Sequence, residues 1–228
     1  MHRATAIAGI YLAILIAALA LQLGPALAAK NKDAVAVIIG NKDYADPIPD
    51  VDFAHNDAEA IKRFVIGRLG DREGNIIDLR DATQADLIAV FGSETYPEGR
   101  LAQWIRKGKS DVFVFYSGHG VPSLKSGLTY LLPVDAKPDF VHLNGYPIDL
   151  LYENLSKIEA RSITVYLDAC FSGDSDKGML INATSGIRVE AKVPEVGYLT
   201  VITAASGDQV ASWDEDKKHG LFTWHLLE

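Results

Sequence analysis

Cys170 is the only cysteine among 228 residues, and it stands where an apolar run stops and a small-residue turn begins. In SITVYLDACFSG, Ser162 to Gly173, the residues Ile163, Val165 and Leu167 alternate with Thr164, Tyr166 and Asp168. That β-branched and aromatic mix predicts a strand ending at the cysteine, after which Phe171-Ser172-Gly173 turns the chain. Asp111 to Tyr116, DVFVFY, repeats the design and runs into Ser117-Gly118-His119-Gly120, which leaves an imidazole on a glycine turn. A thiol is only slightly ionised at neutral pH, and an imidazole beside it lowers its pKa or removes its proton during attack. Cys170 and His119 therefore suit nucleophilic catalysis, with the cysteine attacking a carbonyl carbon. His142, His219 and His225 are weaker candidates for the base, because none follows a strand on a glycine turn. His55, beside Asp57, reads as a helix-entry residue that could contact substrate.

The order and the 51-residue separation of His119 and Cys170 bring a family into view. SGHG with DACFSG resembles the caspase superfamily, in particular the metacaspase and prokaryotic caspase-like (orthocaspase) branch, whose cysteine motif begins with Asp where animal caspases have Gln. The likeness runs from about Asp33 to the end. Phe171 departs from it, standing where metacaspases commonly carry His. The resemblance implies a cysteine endopeptidase in which the N–H of Gly120 joins the Cys170 amide in binding the developing oxyanion. It also implies a substrate-binding set of Asp57, Asp168, Ser206, Trp213 and Asp214. Asp57 in HNDAEAI and Asp168 match residues that line the primary pocket of metacaspases, and TAASGDQVASWDED, Thr203 to Asp216, matches the groove segment after the fifth strand. Asp214 falls where animal caspases place Arg, so the expected substrates are proteins or peptides cut after Arg or Lys. Asp57 has an ordinary alternative, a first-turn acid favoured by the helix dipole. For Asp168 the alternative is poorer, since a carboxylate beside the nucleophile with no recognition role would disfavour the thiolate.

No cofactor and no resident metal are expected. Asp174, Asp176 and Gly178 hint at a calcium loop but miss its spacing, with Ser185 where the final Glu belongs. Calcium dependence stays open through the resemblance, because some metacaspases are calcium dependent. Gly108-Lys109-Ser110 looks like the end of a phosphate loop but has Gln103 where its first glycine belongs.

These groups need a scaffold. Residues 1–29 form a leader with Arg3 as its only charged side chain, an apolar run from Ala4 to Leu21, and Ala26-Leu27-Ala28 as a small-residue cleavage site. That is the pattern of a secretory signal peptide, with an uncleaved anchor over residues 4–23 as the alternative. Either reading exports residues 30–228, to a periplasmic or extracellular site, and membrane attachment follows only if the leader stays. Without Arg3 the formal charge moves from −8 to −9. No basic stripe suggests nucleic acid. A single cysteine allows no internal disulfide, so stability must come from a core.

Apolar runs alternate with helical patterns throughout. AVAVII, Ala34 to Ile39, reads as a strand buried on both faces. Asn56 is placed to cap a helix with Ile61, Phe64, Val65 and Leu69 on its apolar side and Gly70 at its stop. Ile76 to Leu79 is a short strand, Thr83 with Asp86 opens a helix, and Leu101, Trp104 and Ile105 mark another amphipathic segment. Gly127 to Tyr146 reads as a turn-rich excursion. Leu150, Leu151, Leu155 and Ile158 share a helical face, Tyr198 to Thr203 is a fifth strand, and Gly220 to Glu228 starts a helix without a stop signal, which suggests a C-terminally incomplete domain. Interleaved strands and helices predict a three-layer α/β/α sandwich around a mostly parallel sheet, and the resemblance puts the His and Cys strands side by side near its centre. Two other readings keep the same residues: a catalytically silent caspase-like binding or scaffold module, and a thiol hydrolase of a small ester or amide.

Overall fold

The computed structural model describes residues 31–123, 125–169, 171, 174–175, 178–179, 193–204 and 212–228. Residues 1–29, expected to form a leader, and Cys170, Ser206 and Asp176 lie outside the described residues. Strand β1 (Val35–Gly40) is followed by helix α1 (Ala54–Phe64), which widens into one further turn, Val65–Leu69, and stops at Gly70. Strand β2 (Ile76–Arg80) leads to α2 (Gln84–Phe91) and α3 (Arg100–Trp104). Then come β3 (Asp111–Ser117), β4 (Gly120–Ser123), β5 (Leu128–Leu131), β6 (Tyr146–Pro147) and α4 (Ile148–Ser156). Strand β7 (Ser162–Asp168), the short β8 (Asp174–Ser175) and β9 (Gly178–Met179), β10 (Leu199–Thr203), the hairpin of β11 (Trp213–Asp214) and β12 (His219–Gly220), and α5 (Leu221–Leu227) complete the chain.

Five strands form one sheet in the order β10-β7-β3-β1-β2, every pairing parallel. The pleat divides the core between two faces. Val35, Val37 and Ile39 of β1, with Val112 and Val114 of β3, pack beneath Leu87, Leu101, Leu151 and Leu155 of α2, α3 and α4. Ala36, Ile38, Phe113 and Phe115 face the other way, under Ala58 and Ile61 of α1 and Leu226 of α5. Each such side chain, fully buried, contributes roughly 1.5–3 kcal/mol, so the sandwich rests on ordinary apolar burial. This is the predicted three-layer α/β/α architecture.

Two local expectations are corrected. Asn56 does not cap α1: the helix begins earlier at fully buried Ala54, and the Asn56 amide donates instead to the Lys218 carbonyl (3.1 Å). The stretch read as an excursion contains β5 and the first residue of β6 in a three-stranded antiparallel sheet, β4-β5-β6, whose strands are too short to display alternation. Thr83 and Asp86 do form a capping box at the start of α2.

Strand order reverses between β1 and β3, since β2 lies on one side of β1 and the later strands on the other. Beyond the carboxyl ends of strands at such a reversal, backbone leaves in opposite directions and a crevice opens. His119 follows the end of β3, facing the loop that leaves β1.

Candidate active site

Gly118 lets the chain leave β3 through a tight space. A Cβ at this position would lie 2.8 Å from the hydroxyl oxygens of both Tyr44 and Tyr116. Those hydroxyls hold the next residue: the His119 N–H donates to Tyr44 (2.9 Å), and Tyr116 donates to the His119 carbonyl (2.8 Å), which also accepts the Leu132 N–H (3.0 Å). Burial pushes both phenols up, so they remain neutral donors. Asn41 braces the assembly, donating to the Ala82 and Leu132 carbonyls and accepting the Ala82 N–H.

His119 is 5% exposed, and its Nε2 lies 2.7 Å from the Pro49 carbonyl oxygen. A carbonyl only accepts, so Nε2 carries the hydrogen and, in the neutral ring, Nδ1 holds the lone pair. The Tyr44 ring stands against the imidazole at 4.8 Å between centroids. Tyr44 and Pro49 both belong to the β1–α1 loop, and that loop is tied to the end of β2. Asp81 Oδ1 accepts the N–H groups of Lys42 (2.8 Å) and Asp43 (3.0 Å) and lies 2.9 Å from His55 Nε2. The ligand atoms of Asp43, His55 and Asp81 come within 4.8 Å of one another, but those contacts and the Lys42–Asp43 ion pair give them a loop-fixing role. His55 thus serves the loop's anchorage.

Strands β3 and β7 are neighbours with Ser117 opposite Asp168. The segments bearing His119 and Cys170 therefore leave adjacent strand ends at the same level, each two residues past a register partner. The Gly118 N–H donates to the Asp168 carbonyl (3.3 Å) and carries the pairing one step further. Ala169 is buried, and Phe171 packs against the α2–α4 side of the core. Gly120 sits opposite Leu131, and because the Leu132 N–H bonds the His119 carbonyl, this is the pair that exchanges no ladder hydrogen bonds. The Gly120 N–H is left out of the β4–β5 ladder and points away from β5.

Asp57 and Asp168 come together against one glycine. A Cβ on Gly220 would collide with Asp168 Oδ2 and lie 3.2 Å from Asp57 Oδ2. Asp57, 2% exposed, accepts the Gly220 N–H at both oxygens (3.2 Å each) and the Ser117 hydroxyl at Oδ2 (3.2 Å). Asp168, 7% exposed, accepts the Thr223 hydroxyl (2.6 Å) and N–H (3.2 Å) at Oδ2. Burial, then the neighbouring Asp168 charge, pushes the Asp57 carboxyl up to about 8. Burial likewise raises Asp168 to about 6, against the pull of Thr223. Among the described residues no Lys or Arg pairs with either acid; the basic side chain on Asp57 is His219, whose Nδ1 lies 2.7 Å from Oδ1.

Of the other expected binding residues, Trp213 pairs with Gly220 in the β11–β12 hairpin, so its backbone borders the acid pair. Asp214 Oδ1 accepts the Lys217 N–H (3.0 Å) and closes the hairpin turn. Three residues hold the acid pair without having been expected to: Ser117, His219, which the sequence offered only as a weaker candidate base, and Thr223. Ser117 was visible as the residue before the glycine turn, whereas nothing in the sequence pointed from His219 or Thr223 to either acid.

The caspase-domain family matches residues 33–228, most of the chain. The chain belongs to the caspase-domain family. A metacaspase-1 from Eremothecium gossypii is 29% identical over 177 residues, which cover 69% of this chain and 37% of that protein's length. The chain spans well under two thirds of the relative it matches. This caspase domain, a member of a cysteine-peptidase family, thus carries its histidine at the central strand end and a buried acid pair one strand end away.

Proposed function

We propose that this caspase domain is a cysteine endopeptidase with Cys170 as nucleophile and His119 as base, cleaving after Arg or Lys. The observation that carries the reading is the His119–Pro49 contact, which leaves the Nδ1 lone pair as the basic nitrogen at a strand end level with the one leading to Cys170. In the reaction His119 Nδ1 takes the Cys170 thiol proton as sulfur bonds to the scissile carbonyl carbon. The carbonyl electron pair moves onto oxygen, where the N–H groups of Gly120 and Cys170 receive it; one such donor is worth about 3 kcal/mol in the transition state. The imidazolium returns its proton to the leaving amine as the C–N bond breaks. Water, deprotonated by the same imidazole, then cleaves the thioester and regenerates the thiol.

The basic preference draws on the acid pair. Two buried carboxylates without a Lys or Arg partner among the described residues suit an incoming cation, and a charge-assisted bond there contributes about 1.5–3 kcal/mol. Export of the domain by residues 1–29, with protein or peptide substrates outside the cytoplasm, belongs to the same proposal. Fluorogenic peptides differing only at the residue before the cleaved bond provide the test. Arg and Lys peptides are expected to be cut at least tenfold faster than Asp peptides, with all turnover absent in Cys170→Ala. Turnover by Cys170→Ala would remove the mechanism, and faster cleavage after Asp would remove the pocket assignment.

A further inference from the structure

Resting on the reading of Asp57 as a recognition carboxylate, the geometry around it raises a question of access. Oδ1 faces His219 Nδ1 at 2.7 Å and accepts the Gly220 N–H, while Oδ2 accepts the same N–H and the Ser117 hydroxyl. A substrate ammonium or guanidinium needs at least one of those directions, and a guanidinium binds best with two. Ser117 ends a central strand, and Gly220 is wedged against both acids by its missing Cβ. Neither can retreat cheaply. The His219 side chain, on the β11–β12 hairpin and 17% exposed, can turn away by rotation about its own bonds.

We propose that His219 occupies the basic-side-chain site of the substrate-free domain and is a specificity-determining residue, displaced from Asp57 by an entering Arg or Lys. The surroundings hold the ring without locking it. Asp57 faces it directly, and Asp168 lies across Gly220. Burial, and then the charge of Arg63 on α1, disfavour the charged imidazole. The Trp224 ring of α5 stands 6.2 Å away, with the Lys217 ammonium over that ring at 4.6 Å. An imidazole offers the carboxylate one N–H and a labile charge. Arginine offers a permanent charge and a two-pronged donor, so exchange favours substrate.

The test uses the full chain carrying Cys170→Ala, so that nothing is turned over, titrated calorimetrically with acetyl-arginine amide and with its uncharged isostere acetyl-citrulline amide. Adding His219→Ala is expected to tighten arginine amide binding by up to about tenfold, the cost of one hydrogen bond no longer broken, with citrulline amide unchanged. Arginine preferred over citrulline but bound no more tightly after His219→Ala overturns the role of His219 and leaves the recognition reading standing. Arginine and citrulline bound alike by both proteins overturns that reading and this inference with it. Should His219→Ala fail to fold, the His219 ring resonances of the parent decide: arginine amide is expected to shift them and citrulline amide to leave them in place, and a ring unmoved by bound arginine overturns the proposal.

Discussion

His119 Nε2 and the Pro49 carbonyl oxygen lie 2.7 Å apart although 70 positions separate them in sequence. The strand end delivers the imidazole, but a loop from a different strand sets its tautomer and its plane. Under the proposed role of His119 as base, its orientation depends on how firmly the β1–α1 loop is held, so the anchorage of that loop at Tyr44 and Asp81 matters to the proposed chemistry.

Tyr44→Phe tests that dependence. It leaves the His119 N–H buried without its acceptor, at a cost of about 1–3 kcal/mol, while the Leu132 carbonyl keeps Tyr116 and Asn41 as donors. A lower melting temperature together with a fall in kcat larger than any change in KM is expected. Unaltered kcat would show that the hydroxyl does not position His119.

Gly118→Ala asks the same question sterically. Its Cβ would press on both hydroxyls that carry the His119 backbone, and a displacement of about 1 Å in a catalytic group costs on the order of 10²-fold in rate. Loss of that size in kcat, with secondary structure retained by circular dichroism, is the expected result, and near-parental kcat would show that the turn can relax.

Nucleophile and base should fail as a unit. Cys170→Ala and His119→Ala are each expected to abolish peptide hydrolysis, with the double variant scarcely worse than either alone. Additive losses in the two single variants and the double variant would mean that the residues act independently.

The central strands were legible because parallel strands covered on both faces are continuous apolar runs, as in Ala34 to Ile39 and Asp111 to Tyr116. His119 was singled out as a candidate because it stands on a glycine turn directly after such a run. Asp57 and Asp168 were singled out by resemblance, while the contact that joins them, Gly220, was not, because nothing local ties residue 220 to residue 57. His219 was passed over for the same reason: its partner is 162 positions away. The cap of α1 was misplaced by three residues, Phe53 for Asn56, because burial of Ala54 against the sheet overrides capping preference. Strands of two to four residues, such as β4 to β6, are too short for alternation to register.

The acid pair also predicts how stability follows pH. A carboxyl held above its ordinary range binds its proton more tightly in the folded than in the unfolded chain, so its stabilising contribution is complete below the unfolded value of 3.8 and disappears as pH rises through the folded one. For Asp168, and for Asp71 raised by burial in the same way, that loss is over soon after pH 6. For Asp57 it continues to about pH 8. His219 has the opposite sign, because its lowered folded value means stability is gained as pH rises to the ordinary 6.5. Between pH 6.5 and 8 the main contribution of these four groups is therefore that of Asp57, with a slope of at most about 1.4 kcal/mol per pH unit for one proton. Urea unfolding of Cys170→Ala protein is expected to show stability falling across that interval, and Asp57→Asn, which cannot ionise, to flatten the fall. An equal slope in both proteins would mean that Asp57 is already ionised at pH 6.5.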